Sequence, residues 1–275
     1  MADLKFEMKW ISRKYKLLFF LIIVSWISLA IIFGLFDLQI SQFIVNSDSI
    51  AGEFGRDFGE APGYGLIGIS IAILIGKNYK DLRKQKLGLI APLIIGLIYL
   101  FVAISSNSLK GIIDSLSIIT IFILFFLITI KKDWNDYKTF AWVIFIVTIL
   151  NVILFVQITK IVWGRVRYRD LLPGFENYTP WFIPRGPTGN KSFPSGHSAM
   201  GFITIPLILI INRLKIKKLY HCILSFIIIG WAFFVAISRV LIGAHFASDI
   251  LFSAEMSLML TVLIINYIHN KKKLL

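Results

Sequence analysis

Eight stretches of this chain are apolar over nearly their whole length: residues 17–36, 63–77, 88–106, 112–130, 139–159, 198–212, 219–237 and 246–268. Hydrophobic residues follow one another there continuously, without the alternation of a lipid-facing β-strand. Most of the runs approach the roughly 20 residues that a helix needs to cross the hydrocarbon core of a bilayer; the second and sixth are shorter. Hydrocarbon offers no partner to an unpaired backbone group, so only helices and closed barrels span it. With the barrel excluded by pattern, the sequence predicts an all-α, polytopic membrane helix bundle of about eight transmembrane helices. The first run follows a basic stretch and lacks a small-residue cleavage site, so it is expected to remain as an anchor.

Composition agrees: 57% of the 275 residues are hydrophobic and 16% charged, with a mean hydropathy of +0.80. A soluble fold would lack the polar surface to cover itself. The single cysteine, Cys222, permits no internal disulfide and no cysteine-based metal cluster. The formal charge of +14 is unevenly spread. With the N-terminus in the cytoplasm, the N-terminal tail, 77–87, 131–138, 213–218 and the C-terminal tail together carry +15 on that side, and everything else −1. The positive-inside rule then places both termini in the cytoplasm. The basic excess is a topology signal and a grip on anionic lipid head groups, and it calls for no nucleic-acid partner. The expected organisation is one integrated membrane domain in two parts. Residues 1–138 form N-terminal transmembrane helices with an acidic extracytoplasmic loop at 37–62, and residues 139–275 form a catalytic core.

Two outside segments stand apart. Residues 37–62 carry a net −4 from Asp37, Asp48, Glu53, Asp57 and Glu60 against Arg56, as an acidic extracytoplasmic loop or interfacial helix would. Residues 160–197 hold five of the eight prolines, Trp163, Tyr168, Tyr178 and Trp181, and a net +4. A basic outside loop breaks the rule that the rest of the chain obeys, and such departures mark function.

Three polar islands lie at outer span ends, and eight crossings put them on one face. KIVWGRVRYRD, 160–170, offers Lys160, Arg165, Arg167 and Arg169; arginine forks match phosphate oxygens in a bidentate way. FPSGHSAMGF, 193–202, offers the Ser195 hydroxyl and the amides around Gly196 at a helix start, where orphan N–H groups attract anions, and a histidine, His197. SRVLIGAHFASD, 238–249, sets His245 and Asp249 four residues apart, within reach on one helical face, with Arg239 across a turn. A carboxylate on one imidazole nitrogen fixes the tautomer and frees the other nitrogen as a nucleophile. Fixed cations, backbone donors and two imidazoles nearly suffice for phosphoryl transfer, which needs mostly positioning and charge stabilisation. GPTGNKS, 186–192, has the wrong glycine spacing for a nucleotide loop, while His221 and His269 fall at cytoplasmic helix ends and are expected to be structural.

In these islands the chain resembles the type 2 phosphatidic acid phosphatase superfamily, related to acid phosphatases and vanadium haloperoxidases, whose pattern is K-x6-R-P, P-S-G-H and S-R-x5-H-x3-D. Lys160 to Arg167, Pro194 to His197, and Ser238 to Asp249 match it in order and spacing. The resemblance implies His245 as a nucleophile forming a phosphohistidine, Asp249 as the group orienting it, and His197 as the acid that protonates the leaving oxygen. It implies Lys160, Arg167, Ser195, Gly196 and Arg239 as the phosphate cradle, with no metal and no cofactor. Tyr168 stands where the family has proline, and five spans rather than three precede the first motif.

The expected function is metal-independent hydrolysis of a lipid phosphate or diphosphate ester at the outer face of a bacterial cytoplasmic membrane, the bilayer and the lipid being its partners. Undecaprenyl diphosphate, phosphatidylglycerol phosphate and phosphatidic acid all fit, and the high Ile and Lys content favours a bacterial lipid. A phosphotransferase would use the same residues. An anion transporter would want polar residues at mid-membrane, and these sit at helix ends. The sequence does not speak to oligomeric state.

Overall fold

The computed structural model describes residues 2–271. Regular structure among the described residues is entirely helical. The main helices are α1 (Ala2–Ile44), α2 (Ile50–Phe58), α3 (Ala61–Gly76), α4 (Ile90–Ser105), α5 (Leu109–Thr129), α6 (Lys138–Val147), α7 (Val156–Trp163), α8 (Gly196–Phe202), α9 (Lys218–Leu241) and α10 (Ala247–Lys271). A π-helical stretch, Thr148–Phe155, joins α6 to α7 in one continuous span. Among the described residues seven segments are long and apolar enough to cross a membrane, which makes the chain a multi-pass membrane protein.

All eight apolar windows fall on helix, with two changes of outline. The window at 198–212 forms only a shorter apolar stretch, Gly196–Ile211. The acidic stretch 37–62, expected as a loop or an interfacial helix, is mostly helical: α1 continues through Asp37 to Ile44, and α2 fills 50–58. The physical reason at Asp37 is a buried counter-charge, described below.

Polar residues start the elements that shape the site. Ser49 caps α2 by accepting the Gly52 amide at 3.1 Å, and Ser195 caps α8 by accepting the Ser198 amide at 3.3 Å; a hydroxyl at this position satisfies one of the orphan donors of the first turn. α3, α5 and α6 share the main apolar core, with Ile69, Ile73, Phe122, Val143 and Val147 around the fully buried Trp134. α8 lies between α9 and α10, and α1 runs along α10.

The approach of α2 to α9 depends on absent side chains. A Cβ on Gly52 would sit 2.4 Å from Ile242 Cγ2, and one on Gly55 would sit 2.2 Å from Ser238 Oγ. Glycine at both positions lets α2 lie directly against the end of α9 that carries Ser238 and Arg239. At the far end of the fifth span, Gly164 adopts φ +50° and caps α7, a left-handed conformation that L side chains disfavour. Here too a Cβ has no room, because the Gly186 carbonyl would lie 2.0 Å away. The chain turns inward at this point and drives Arg165 into the protein.

Arg165 is 1% exposed and its donors are used from three directions. Nη2 donates to Asp37 Oδ2 at 3.0 Å, Nη1 to Asp249 Oδ1 at 2.6 Å and to Ser248 Oγ at 2.8 Å, and Nε to the Thr179 carbonyl at 2.9 Å. Its guanidinium lies 4.0 Å from the centre of the Phe246 ring. Asp37 in turn accepts the Ser248 amide at 2.9 Å and the Ser248 hydroxyl. One cation thus joins α1 to the first turn of α10. Removing one member of a buried ion cluster leaves the others uncompensated. Arg165→Met is expected to lower the unfolding free energy by about 3–5 kcal/mol, measured by denaturant titration in mixed micelles. Arg169→Met, at a side chain 41% exposed, is expected to change it by less than about 0.5 kcal/mol.

Candidate active site

After α9 the chain wraps tightly: the amides of Ala244 and His245 both donate to the Arg239 carbonyl, at 3.0 and 3.2 Å. This returns His245 over Arg239. α10 starts only at Ala247, so His245 sits in the turn before the helix rather than on a helical face shared with Asp249. Asp249 Oδ2 reaches back to accept the Phe246 amide at 2.9 Å, which closes the helix start in the manner of a capping box. The same oxygen accepts the Ser192 hydroxyl at 2.5 Å, and Oδ1 takes Arg165. With its oxygens held by three residues, the carboxylate is fixed, and His245 Nδ1 lies 3.5 Å from Oδ2, at ion-pair distance without hydrogen-bond alignment. His245 is 3% exposed. Burial pushes its pKa down to about 4; Asp249 opposes the shift, and Arg239 and Lys160 add to it. Its imidazole is therefore neutral at pH 7, the form that has a lone pair to offer.

The second island is bonded to the third, since the Ser195 amide donates to the Asp249 carbonyl at 3.0 Å. The first island reaches the second through Lys160, whose Nζ lies 3.5 Å from the position a Gly196 Cβ would take. Glycine there leaves the ammonium and the start of α8 open to each other. Arg239 is 6% exposed, yet its Nε and Nη1 have no acceptor among the described residues, and neither does the Nε of Arg167. Buried guanidinium donors are ordinarily paired, and these are not. Arg167 borders a polar recess of about 220 Å³ together with Asp170, Asn190 and Lys191. Tyr168 stacks its ring on Phe175 at 6.0 Å and meets Phe246 edge-on at 6.2 Å.

His197, at the start of α8, is held from the N-terminal helices. Its Nδ1 lies 3.3 Å from Glu60 Oε1 and its Nε2 lies 3.2 Å from the Arg56 carbonyl oxygen. The fold thus gathers Lys160, Ser195, Gly196, His197, Arg239, His245 and Asp249 at one end of the bundle, with Arg167 on the adjoining loop. No group of three or more His, Cys, Asp or Glu side chains among the described residues is arranged to hold a metal ion.

Five residues have a place at the site that the sequence does not show. Arg165 stands in the sequence with the phosphate-facing cations, and the structure instead pairs it with Asp37 and Asp249. Asp37 had a legible signal, a carboxylate amid FGLFDLQI, because an ionisable group in an apolar segment is costly without a partner. Glu60, Ser192 and Ser248 had none, since only the tertiary fold brings them near the histidines.

No curated protein and no solved structure matches this chain. The family model described as PAP2 superfamily matches residues 140–273. That stretch contains all three islands, and it is over these residues that the chain is similar to the PAP2 superfamily.

Proposed function

We propose that this protein is a metal-independent lipid phosphatase, acting through a phosphohistidine on His245 at the outer face of a bacterial cytoplasmic membrane. The family match over residues 140–273 supports phosphatase activity on phosphate esters. The observation that carries the finer reading is the buried Arg239 guanidinium, with two donors unpaired, on the residue whose carbonyl accepts the amide of His245, a neutral imidazole backed by a fixed carboxylate.

In this reading Arg239, Arg167 and Lys160 hold the phosphoryl oxygens, with the Ser195 hydroxyl and the first amides of α8. The free nitrogen of His245 forms a bond to phosphorus as the ester P–O bond breaks, and Asp249 stabilises the Nδ1 proton of the resulting cation. His197 gives a proton to the departing oxygen. It then takes one from the water that displaces the histidine, which releases phosphate and regenerates the site. The charge asymmetry of the loops supports the outward-facing site. An apolar cavity of about 390 Å³, lined by Tyr64, Gly68, Ile95, Tyr99 and Phe122, supports a substrate with a hydrocarbon tail. Tyr64 connects it to the polar end by donating to Glu60 Oε2 at 3.3 Å. Undecaprenyl diphosphate, phosphatidylglycerol phosphate and phosphatidic acid all present such a tail. A phosphotransferase would pass the same phosphoryl group to a second lipid or sugar.

His245→Ala is expected to abolish phosphate release from a panel of these lipids, and normal turnover by this variant would end the nucleophile assignment. His197→Ala is expected to slow turnover by about 10²–10⁴-fold, with an acid-labile phosphoenzyme accumulating in rapid-quench experiments where water attack is the slower step. Release by the unmodified protein is expected to persist in excess EDTA and to be unchanged by added acceptor alcohols; transfer to the acceptor would instead identify a phosphotransferase.

A further inference from the structure

Both histidines of the site have a carboxylate on Nδ1: Asp249 beside His245 at 3.5 Å, and Glu60 beside His197 at 3.3 Å. The first carboxylate comes from the family-matched half of the chain, and the second lies outside it, at the junction of α2 and α3. Glu60 is held by Tyr64, whose hydroxyl donates to its other oxygen at 3.3 Å. The glycine contacts of α2 with α9 keep the junction against the site.

The His197 ring faces acceptors on both sides, the Glu60 carboxylate and the Arg56 carbonyl oxygen. A neutral imidazole can donate from only one nitrogen; an imidazolium donates from both. Burial works against a second proton on this ring, as do Arg239, His245 and Lys110, while the Arg56 carbonyl works for it. An anion on Nδ1 works for it.

We infer that Glu60 is a positioning residue for the acid step: it holds the Nδ1–H of His197, so that Nε2 carries the proton destined for the leaving oxygen. This inference rests on the phosphatase reading above. When substrate arrives, its ester oxygen replaces the Arg56 carbonyl as the acceptor at Nε2. As the P–O bond breaks, its electron pair goes to the leaving oxygen, which takes the Nε2 proton. The ring becomes neutral and Glu60 keeps both its charge and the Nδ1–H bond. In the second step the ring accepts a proton from water at Nε2 and returns to its starting form.

The test compares two esters on the same preparation of full-length protein. A long-chain alkyl phosphate has a leaving oxygen that needs a proton, and p-nitrophenyl phosphate has one that does not. Because the ratio of the two rates is independent of the folded fraction, a partly unfolded variant still gives a reading. For Glu60→Gln, kcat on the alkyl ester is expected to fall by about 10–100-fold, part of the 10²–10⁴-fold general-acid contribution. On p-nitrophenyl phosphate it should fall less than about threefold, and KM should not rise, since an anion has been removed from a cationic site. In a His197→Ala background, Glu60→Gln is expected to cost nothing further, as for residues acting as one unit. Equal losses on both esters, or an added loss in the His197→Ala background, would overturn the inference and leave the phosphatase reading standing. If the unmodified protein released phosphate from neither ester, both would fall.

Discussion

A single guanidinium in a nearly dry environment organises this protein. Arg165 is 1% exposed and lies between Asp37 of the first helix and Asp249 of the last. Three ionised groups in a membrane protein are tolerable only if each has partners, and here the side-chain donors of the arginine and the oxygens of both carboxylates are engaged. The second and third islands take their positions from this cluster. Asp249 is fixed by it, the His245 ring stands against Asp249, and the amide of Ser195 hangs from the Asp249 carbonyl. A weaker set of contacts would leave the imidazole free to turn, and a nucleophile misplaced by about 1 Å can lose two orders of magnitude in rate.

How far the sequence reveals this depends on the range of the interaction. The helices were legible because a continuous apolar run admits few other outcomes in lipid. The three islands were legible because each is local: the residues of SRVLIGAHFASD lie in one turn and its flanking helix ends. Even there the register moved, since a carboxylate that caps its own helix sets where that helix begins, and His245 was left outside it. The roles of Arg165 and Asp37 were not legible, because charge at a span end looks the same whether it faces phosphate or another helix. Pairings across 128 residues of chain leave no periodic trace. Glu60 was hidden for a different reason: its stretch is acidic throughout, and nothing local distinguishes the one carboxylate turned toward a histidine from those turned toward water.

The two halves of the chain therefore divide the work unequally. The matched half, 140–273, contains the three polar islands. The N-terminal helices contribute the anions and the carbonyl that contact them: Asp37 through Arg165, and Glu60 and Arg56 at His197. The additional spans are thus not a mere membrane anchor. Without them the matched half would keep a buried arginine with one carboxylate instead of two and a histidine with no acceptor on either nitrogen.

The π-helical stretch Thr148–Phe155 adds a geometric consequence. Asn151, inside it, bonds to the Ser253 carbonyl at 2.9 Å and to Ser257 Oγ at 2.6 Å, which anchors the middle of the span on α10. A π turn holds an extra residue relative to an α turn, and each extra residue advances the angular phase of all that follows by roughly 100°. Lys160 lies five residues beyond its end, about a turn and a half. The widened winding acts as a phase shifter along one rod, so that the lower face can grip its neighbour while the upper face points its ammonium at Gly196. A natural variant that lost one residue there would keep its hydropathy profile and its motif intact, yet would turn that ammonium away from Gly196.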